Sequence, residues 1–266
     1  MPTASLNSGT ASADTNDVDF ALAAVVFAPA LALGSFLNVV AARVPLRRSI
    51  VSPPSACMSC EREIAWFDNV PLLSYLLLRG RCRHCQARIP LVYPAVELAT
   101  ALLLAGCVLE FGLTAQAAVA AFFCAVLVAV SAIDLEHRII PNRIVLPATV
   151  VVLVANTARD LSPEWALAAL AGSGFLFAAA LAYPAGMGMG DVKLALLMGA
   201  ALGRTVSVAL MVGMLAALVP SIVLLARHGS KARKMGIPFG PFLAIGSVVA
   251  LFWGHEILHA YFSTLR

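Results

Sequence analysis

The chain has 266 residues, 61% of them hydrophobic and only 12% charged, with a formal net charge of +4. A mean hydropathy of +0.91 excludes a soluble globular domain, and the positive residues are too scattered along the chain to form a nucleic-acid-binding face. Apolar stretches of about 17–25 residues recur instead, which is the length that crosses a bilayer core, so the composition specifies an all-α polytopic membrane bundle.

Residues 1–19 are polar and small, lack Lys and Arg, and carry Asp14, Asp17 and Asp19. A secretory signal peptide needs a basic start, so this segment reads as a disordered external tail before a retained first span. Spans are predicted at 20–42, 94–111, 115–133, 143–159, 164–183, 191–203, 205–226 and 239–262. The stretch 43–93 is the one long hydrophilic insertion, and 94–266 forms the membrane-embedded core. With eight spans both termini share one side. One set of loops then holds Arg43, Arg47, Arg48, Arg62, Arg79, Arg81, Arg83, Arg88, Arg138, Arg143, Lys193, Arg227, Lys231, Arg233 and Lys234. The other holds only Arg159, Arg204 and Arg266. Fifteen against three places 43–93 in the cytoplasm and both termini outside.

The insertion carries Cys57-Met-Ser-Cys60 and Cys82-Arg-His-Cys85, two C-x-x-C pairs 21 residues apart. In a reducing cytoplasm such pairs offer four thiolates to one tetrahedral zinc rather than forming disulfides. Four Cys ligands fill the shell, so the metal is structural, in a zinc-ribbon-like loop. His84 reads as an exposed loop residue, and Cys107 and Cys124 as small core residues inside spans.

Four acidic residues lie in or against the spans on the cytoplasmic side: Glu97, Asp134, Glu136 and Asp191. A carboxylate at mid-membrane costs about 2.5–3.5 kcal/mol on insertion scales, so each needs a reason. Asp134 ends the third span in Asp-Leu-Glu-His-Arg-Ile-Ile-Pro-Asn142, and Pro141 stops helix nearby. A negative charge at a helix C-terminus is disfavoured by the dipole, although Arg138 stands at i+4. Asp191 begins the sixth span in Gly188-Met-Gly-Asp191-Val-Lys193, either as a helix N-cap or as a working group. That span has only 13 residues, about 20 Å against a core of about 30 Å. Either the bilayer thins locally or Asp191 starts its helix from a recessed, water-reached position, and Gly186, Gly188 and Gly190 suit irregular backbone there. Two carboxyls at one depth can share a proton, one activating water while the other protonates a scissile carbonyl.

Two other readings compete. His255-Glu256-Ile-Leu-His259 in the last span is a literal H-E-x-x-H, which on a helix sets two imidazoles on one face for zinc with Glu256 as base. It lies near the C-terminus on the external side, where His and Glu are cheap to place. A proton-coupled transporter could instead use Asp134 and Asp191 as a relay, but relay carboxylates line a path across the bilayer and these sit at one face.

Taken in order, these motifs resemble those of the bacterial type IV prepilin peptidases, many of which are also N-methyltransferases. The similarity runs through Gly34-Ser-Phe-Leu-Asn38, the paired C-x-x-C loop, Tyr93-Pro-Ala-Val-Glu97, Asp134 with Ile140-Pro141-Asn142, Gly188-x-Gly190-Asp191 with Lys193, and Pro238-Phe-Gly240-Pro241-Phe242. The resemblance implies that Asp134 and Asp191 are the catalytic pair of a membrane aspartic protease. It implies cleavage after a glycine in prepilins of type IV pili or pseudopilins of type II secretion, between a basic leader and an apolar helix. It further implies methylation of the new N-terminal residue from S-adenosylmethionine. The Gly-Met-Gly-Met-Gly run resembles no dinucleotide-binding fingerprint, since no strand precedes it.

Overall fold

Among the described residues the apolar runs fold as eight long helices. In the computed structural model, which describes residues 10–183, 187–229 and 237–264 (backbone alone for 10–19 and 228), the first is α1 (Thr10–Arg43). The insertion that follows holds one 3-10 turn (Trp66–Asn69) and the short helix α2 (Leu73–Leu77). Then come α3 (Val92–Phe111), α4 (Ala115–His137), α5 (Asn142–Asp160), α6 (Glu164–Ala182), α7 (Met189–Leu202), α8 (Val206–His228) and α9 (Gly240–Thr264). Each predicted span coincides with one of the long helices, and no strand beyond isolated bridges occurs among the described residues.

The start of the chain differs from expectation. The backbone is helical from Thr10, so α1 extends ten residues before the predicted span into the segment read as a disordered tail, while residues 1–9 lie outside the described residues. Six segments are long and apolar enough to cross a bilayer, one of them, Met189–Arg227, spanning both α7 and α8. Of the eight long helices only α5 falls outside these segments, because it carries Asn142, Arg143, Asn156, Arg159 and Asp160. Its Asn156 is 2% exposed and donates through Nδ2 to the Ala200 carbonyl of α7 at 2.9 Å, so the amide is satisfied by protein rather than left bare in lipid.

Lipid removes the hydrophobic drive between helices, leaving close packing to hold the bundle. The core is built on α4, α7 and α9, where Leu127, Leu194, Met198 and Leu243 are almost fully buried. Small residues let backbones meet: a Cβ at Gly199 would run into the Ala168 backbone of α6, and one at Gly246 into Ala209 and Gly213 of α8. Large apolar side chains such as Leu102, Val150, Leu215 and Trp253 stay exposed, as a lipid-facing surface requires.

Candidate functional site

Asp134 sits in the last turn of α4, where its own helix dipole is unfavourable. The chain leaves α4 through Arg138 in the left-handed conformation (φ 54°), whose N–H caps the Asp134 carbonyl at 2.9 Å. The helix thus ends at His137, four residues before Pro141, by an αL cap rather than by the proline. The Asp134 side chain, 5% exposed, turns across the bundle and accepts from the Gly240 N–H at 2.9 Å. Gly240 is the first residue of α9, so the carboxyl rests at the positive end of another helix. A Cβ at Gly240 would stand 2.9 Å from Asp134 Oδ2, so only glycine admits this approach. Pro241 follows in the first turn, where its missing N–H costs nothing.

Asp191 lies in the first turn of α7 and is 9% exposed. It is not the N-cap: the helix starts at Met189, Gly188 holds the cap position, and Asp191 reaches back to accept the Gly188 N–H at 3.3 Å. Both carboxyls therefore lie at helix N-termini, Asp191 at its own and Asp134 at that of α9.

Of the glycines around Asp191, Gly190 serves closeness rather than irregular backbone. Gly188 is extended (φ −82°), a conformation open to any residue, and Gly186 lies outside the described residues. Gly190 is helical, and a Cβ there would meet the Ile140 Cβ at 2.9 Å. Ile140 of the α4–α5 link thus closes onto the start of α7. Lys193 Nζ adds a 2.9 Å hydrogen bond to Asn142 Oδ1, tying α7 to the first residue of α5, while Pro141 stands in extended backbone before it. The motifs around Asp134 and Asp191 are brought together by these contacts at one end of the bundle.

Gly34, Asn38 and Glu97 work nearby but do something different. A Cβ at Gly34 would lie 2.6 Å from the Glu97 Cα, so α1 and α3 touch backbone to backbone there. Asn38 Nδ2 donates to the Tyr93 carbonyl at 3.1 Å. Glu97, 8% exposed, accepts the Leu72 N–H at 2.8 Å, and Leu72 is a non-glycine residue at φ 56°, ψ −47°. The buried carboxyl thereby anchors the entry to α2, and with it the insertion, onto the membrane core. Leu72 carries no sequence signal for this role, since nothing local marks a leucine for positive φ.

In the insertion, the Sγ atoms of Cys57, Cys60, Cys82 and Cys85 all lie within 4.8 Å of one another, with Cys57 and Cys85 at 3.8 Å. Four sulfurs at about 2.3 Å from one tetrahedral zinc would stand about 3.8 Å apart, so the set fits that metal. The two halves are built alike. Glu61 N–H bonds the Cys57 carbonyl and Gln86 N–H that of Cys82, with Glu61 and Gln86 both near φ +60° (56° and 60°). The Ser59 and Cys60 N–H groups hold the Cys57 thiol down to a pKa of about 6, favouring the thiolate that binds metal. His84 is exposed and pairs with Arg62 at 3.3 Å, outside the sulfur cluster. Arg83 forks onto Asp68 at 2.6 and 2.8 Å, holding that carboxyl below its usual range and fastening the second knuckle to the Trp66–Asn69 turn.

At the far end of the bundle His255, Glu256 and His259 are all exposed. The nearby Glu164 is already engaged by Arg204 at 3.0 Å, and among the described residues only the four cysteines gather as metal ligands. Cys107 and Cys124 are fully buried and 3.9 Å apart, packed between α3 and α4 as small core residues.

The model of the bacterial peptidase A24 N-terminal domain matches residues 29–111, and that of the type IV leader peptidase family matches residues 121–226. Proteins named prepilin leader peptidase/N-methyltransferase are similar over most of their length. One from Bacillus subtilis is 34% identical, covering 89% of this chain and 96% of the relative. Others are from Aeromonas salmonicida (35%, covering 91% and 94%) and Pseudomonas aeruginosa (34%, covering 87% and 90%). No solved structure matches.

Proposed function

The chain belongs to the type IV leader peptidase family, and from that premise we propose that Asp134 and Asp191 are its catalytic pair. The enzyme is a prepilin-processing endopeptidase with N-methyltransferase activity, as its relatives' names state. The observation that carries the site is the placement of two buried carboxyls at one end of the bundle, each held by an N–H at a helix N-terminus.

The chemistry follows from that pair. Two neighbouring carboxyls hold one proton between them, since ionising both at close range is costly. The ionised one accepts a proton from water as its oxygen attacks the scissile carbonyl, and the protonated one donates to the carbonyl oxygen. Collapse of the gem-diol passes a proton to the departing amine and restores the shared-proton state. Gly240 N–H and Gly188 N–H fix the two side chains for this exchange.

The positive-inside distribution puts this end of the bundle, with the cysteine loop, at the cytoplasmic face. A substrate crossing the same inner membrane keeps its basic leader there by the same rule, so its cut falls at the depth of the aspartates. The substrates are prepilins of a pilus or pseudopilins of a secretion system. The four cysteines hold a structural zinc, which would fix the loop and take no part in the cut. The methyl group added to the new N-terminus would come from S-adenosylmethionine.

The test is cleavage of a prepilin-like substrate by purified protein. Wild type should cut, and Asp134→Asn and Asp191→Asn should each abolish the cut while folding normally. Cleavage retained in either variant refutes the assignment.

A further inference from the structure

The cysteine insertion carries an apolar face of its own. In α2, Leu73, Leu76 and Leu77 stand at i, i+3 and i+4 on one side of the helix and are 53%, 70% and 73% exposed. Ser74, the buried residue of α2, donates to the Phe67 carbonyl at 3.0 Å, so the other side of the helix is the one that packs on the Trp66–Asn69 turn. An exposed apolar face bordered by charge marks a contact surface, and its position and charge identify the partner.

The position is at the membrane. The Leu72 N–H, one residue before α2, bonds Glu97, which lies five residues inside α3, about 7.5 Å along a helix apolar enough to span the bilayer. The start of α2 is therefore held at membrane level rather than out in the cytoplasm. Exposed leucines continue from the insertion down one face of α3, from Leu91 at its N-cap to Leu98 and Leu102.

The charge is positive. Between 43 and 93 eight arginines stand against Glu61, Glu63 and Asp68, a net of +5. Arg47, Arg48, Arg79, Arg81 and Arg88 are exposed and have no acidic partner among the described residues. They border the bilayer: Arg47 and Arg48 just past α1, Arg79 and Arg81 just past α2, and Arg88 four residues before α3. A leucine face beside clustered arginines is the pattern of an interfacial helix on an anionic bilayer. The basic leader of a substrate has the same sign of charge and is repelled from this surface.

We infer that α2 lies in the cytoplasmic interface of the bilayer, its leucine face in the acyl boundary and the neighbouring arginines on anionic phospholipid headgroups. The inference goes beyond the leader-peptidase reading, since it depends on the membrane placement of α1 and α3 and not on the chemistry of the aspartates. The Glu97–Leu72 bond pins the insertion at one point. A lipid-seated α2 is a second, and the two together restrict the tilt of the cysteine loop over the membrane.

The test uses full-length protein in bilayer discs of phosphatidylcholine with a minority of phosphatidylglycerol. Photoreactive benzoylphenylalanine in place of Leu76 or Leu77 should form phospholipid adducts at the yield found in place of Leu215, on the lipid-facing side of α8. Among those adducts phosphatidylglycerol should exceed its bulk share by about fivefold, the weight of one arginine near the surface. Combined Arg79→Gln, Arg81→Gln and Arg88→Gln should return it to the bulk share with total lipid adducts retained. Adducts far below the Leu215 yield overturn the proposal, as do crosslinks to a second copy of the chain or to added prepilin-like substrate in place of lipid. Enrichment that survives loss of the arginines overturns the headgroup assignment. Should the triple variant fail to fold, the adducts of protein with its arginines intact decide. Cleavage plays no part in the readout, so failure of the leader-peptidase reading would leave these outcomes distinct.

Discussion

The cysteine insertion and the aspartate end are held together in opposite ways. In the insertion, the bonds that shape each knuckle span a few residues: Glu61 to Cys57, Gln86 to Cys82, Cys57 to Arg62 and Cys82 to Ala87. At the aspartate end the decisive contacts join residues far apart in the chain: Gly240 to Asp134 across 106 positions, Lys193 to Asn142 across 51, and Gly190 against Ile140. The insertion is exposed and short of apolar core, so the metal proposed at the four cysteines would be what closes it. The aspartate end lies in a bundle where backbone contact does the holding, so its weak points are glycines. The lesson is that motif residues of one family divide by physics. Two carry the proposed chemistry, some permit two helices to touch, and Glu97 couples the two regions by holding Leu72.

Each half of this comparison can be broken separately. The largest effect belongs to the carboxyls: Asp134→Asn or Asp191→Asn should abolish prepilin cleavage, a loss at or beyond the roughly 10²–10⁴ usual when a general acid or base is removed. Circular dichroism and zinc content should stay at wild-type values. Next comes Gly240→Ala. Its Cβ would press on Asp134 Oδ2, and a displaced catalytic group of this kind costs about 10² in rate. Normal cleavage by Gly240→Ala would mean that the α9 contact is incidental.

Cys57→Ser acts on the other half. It should remove bound zinc, expose 43–93 to proteolysis, and lower cleavage by about tenfold through loosened positioning, with the membrane helices intact. Smaller still is Glu97→Ala, which strands the Leu72 N–H at a local cost of about 1–3 kcal/mol. Hydrogen exchange should rise around 70–76 with zinc retained; no change in exchange there would show that the two regions are uncoupled. The smallest effect is expected at Glu256→Ala, where an exposed side chain at the far end should leave cleavage within about twofold of wild type. A large loss there would restore the metalloprotease reading.

What the sequence by itself determined is whatever depends on composition, period and short spacing. Eight apolar runs became eight long helices because a bilayer leaves the backbone no other way to satisfy its hydrogen bonds. The two C-x-x-C pairs came together because each knuckle forms locally and only the pairing is long-range. What the sequence misdirected is equally local in origin. Thr10–Asp19 looked polar enough for a disordered tail, yet its backbone continues the helix of α1. Of the two roles the sequence left open for Asp191, the N-cap falls to Gly188 instead. Gly190 looked suited to irregular backbone, although it is a helical residue that Ile140 packs against. Tertiary structure alone decided how Asp134 is accommodated. Read along its own helix the carboxylate stands at the wrong end of a dipole; in the fold it meets the N-terminus of α9, a helix that begins more than a hundred residues later. No period or spacing encodes that meeting, because it depends on how antiparallel helices stack their ends at one depth, and the stacking is set by small-residue contacts spread along the whole bundle.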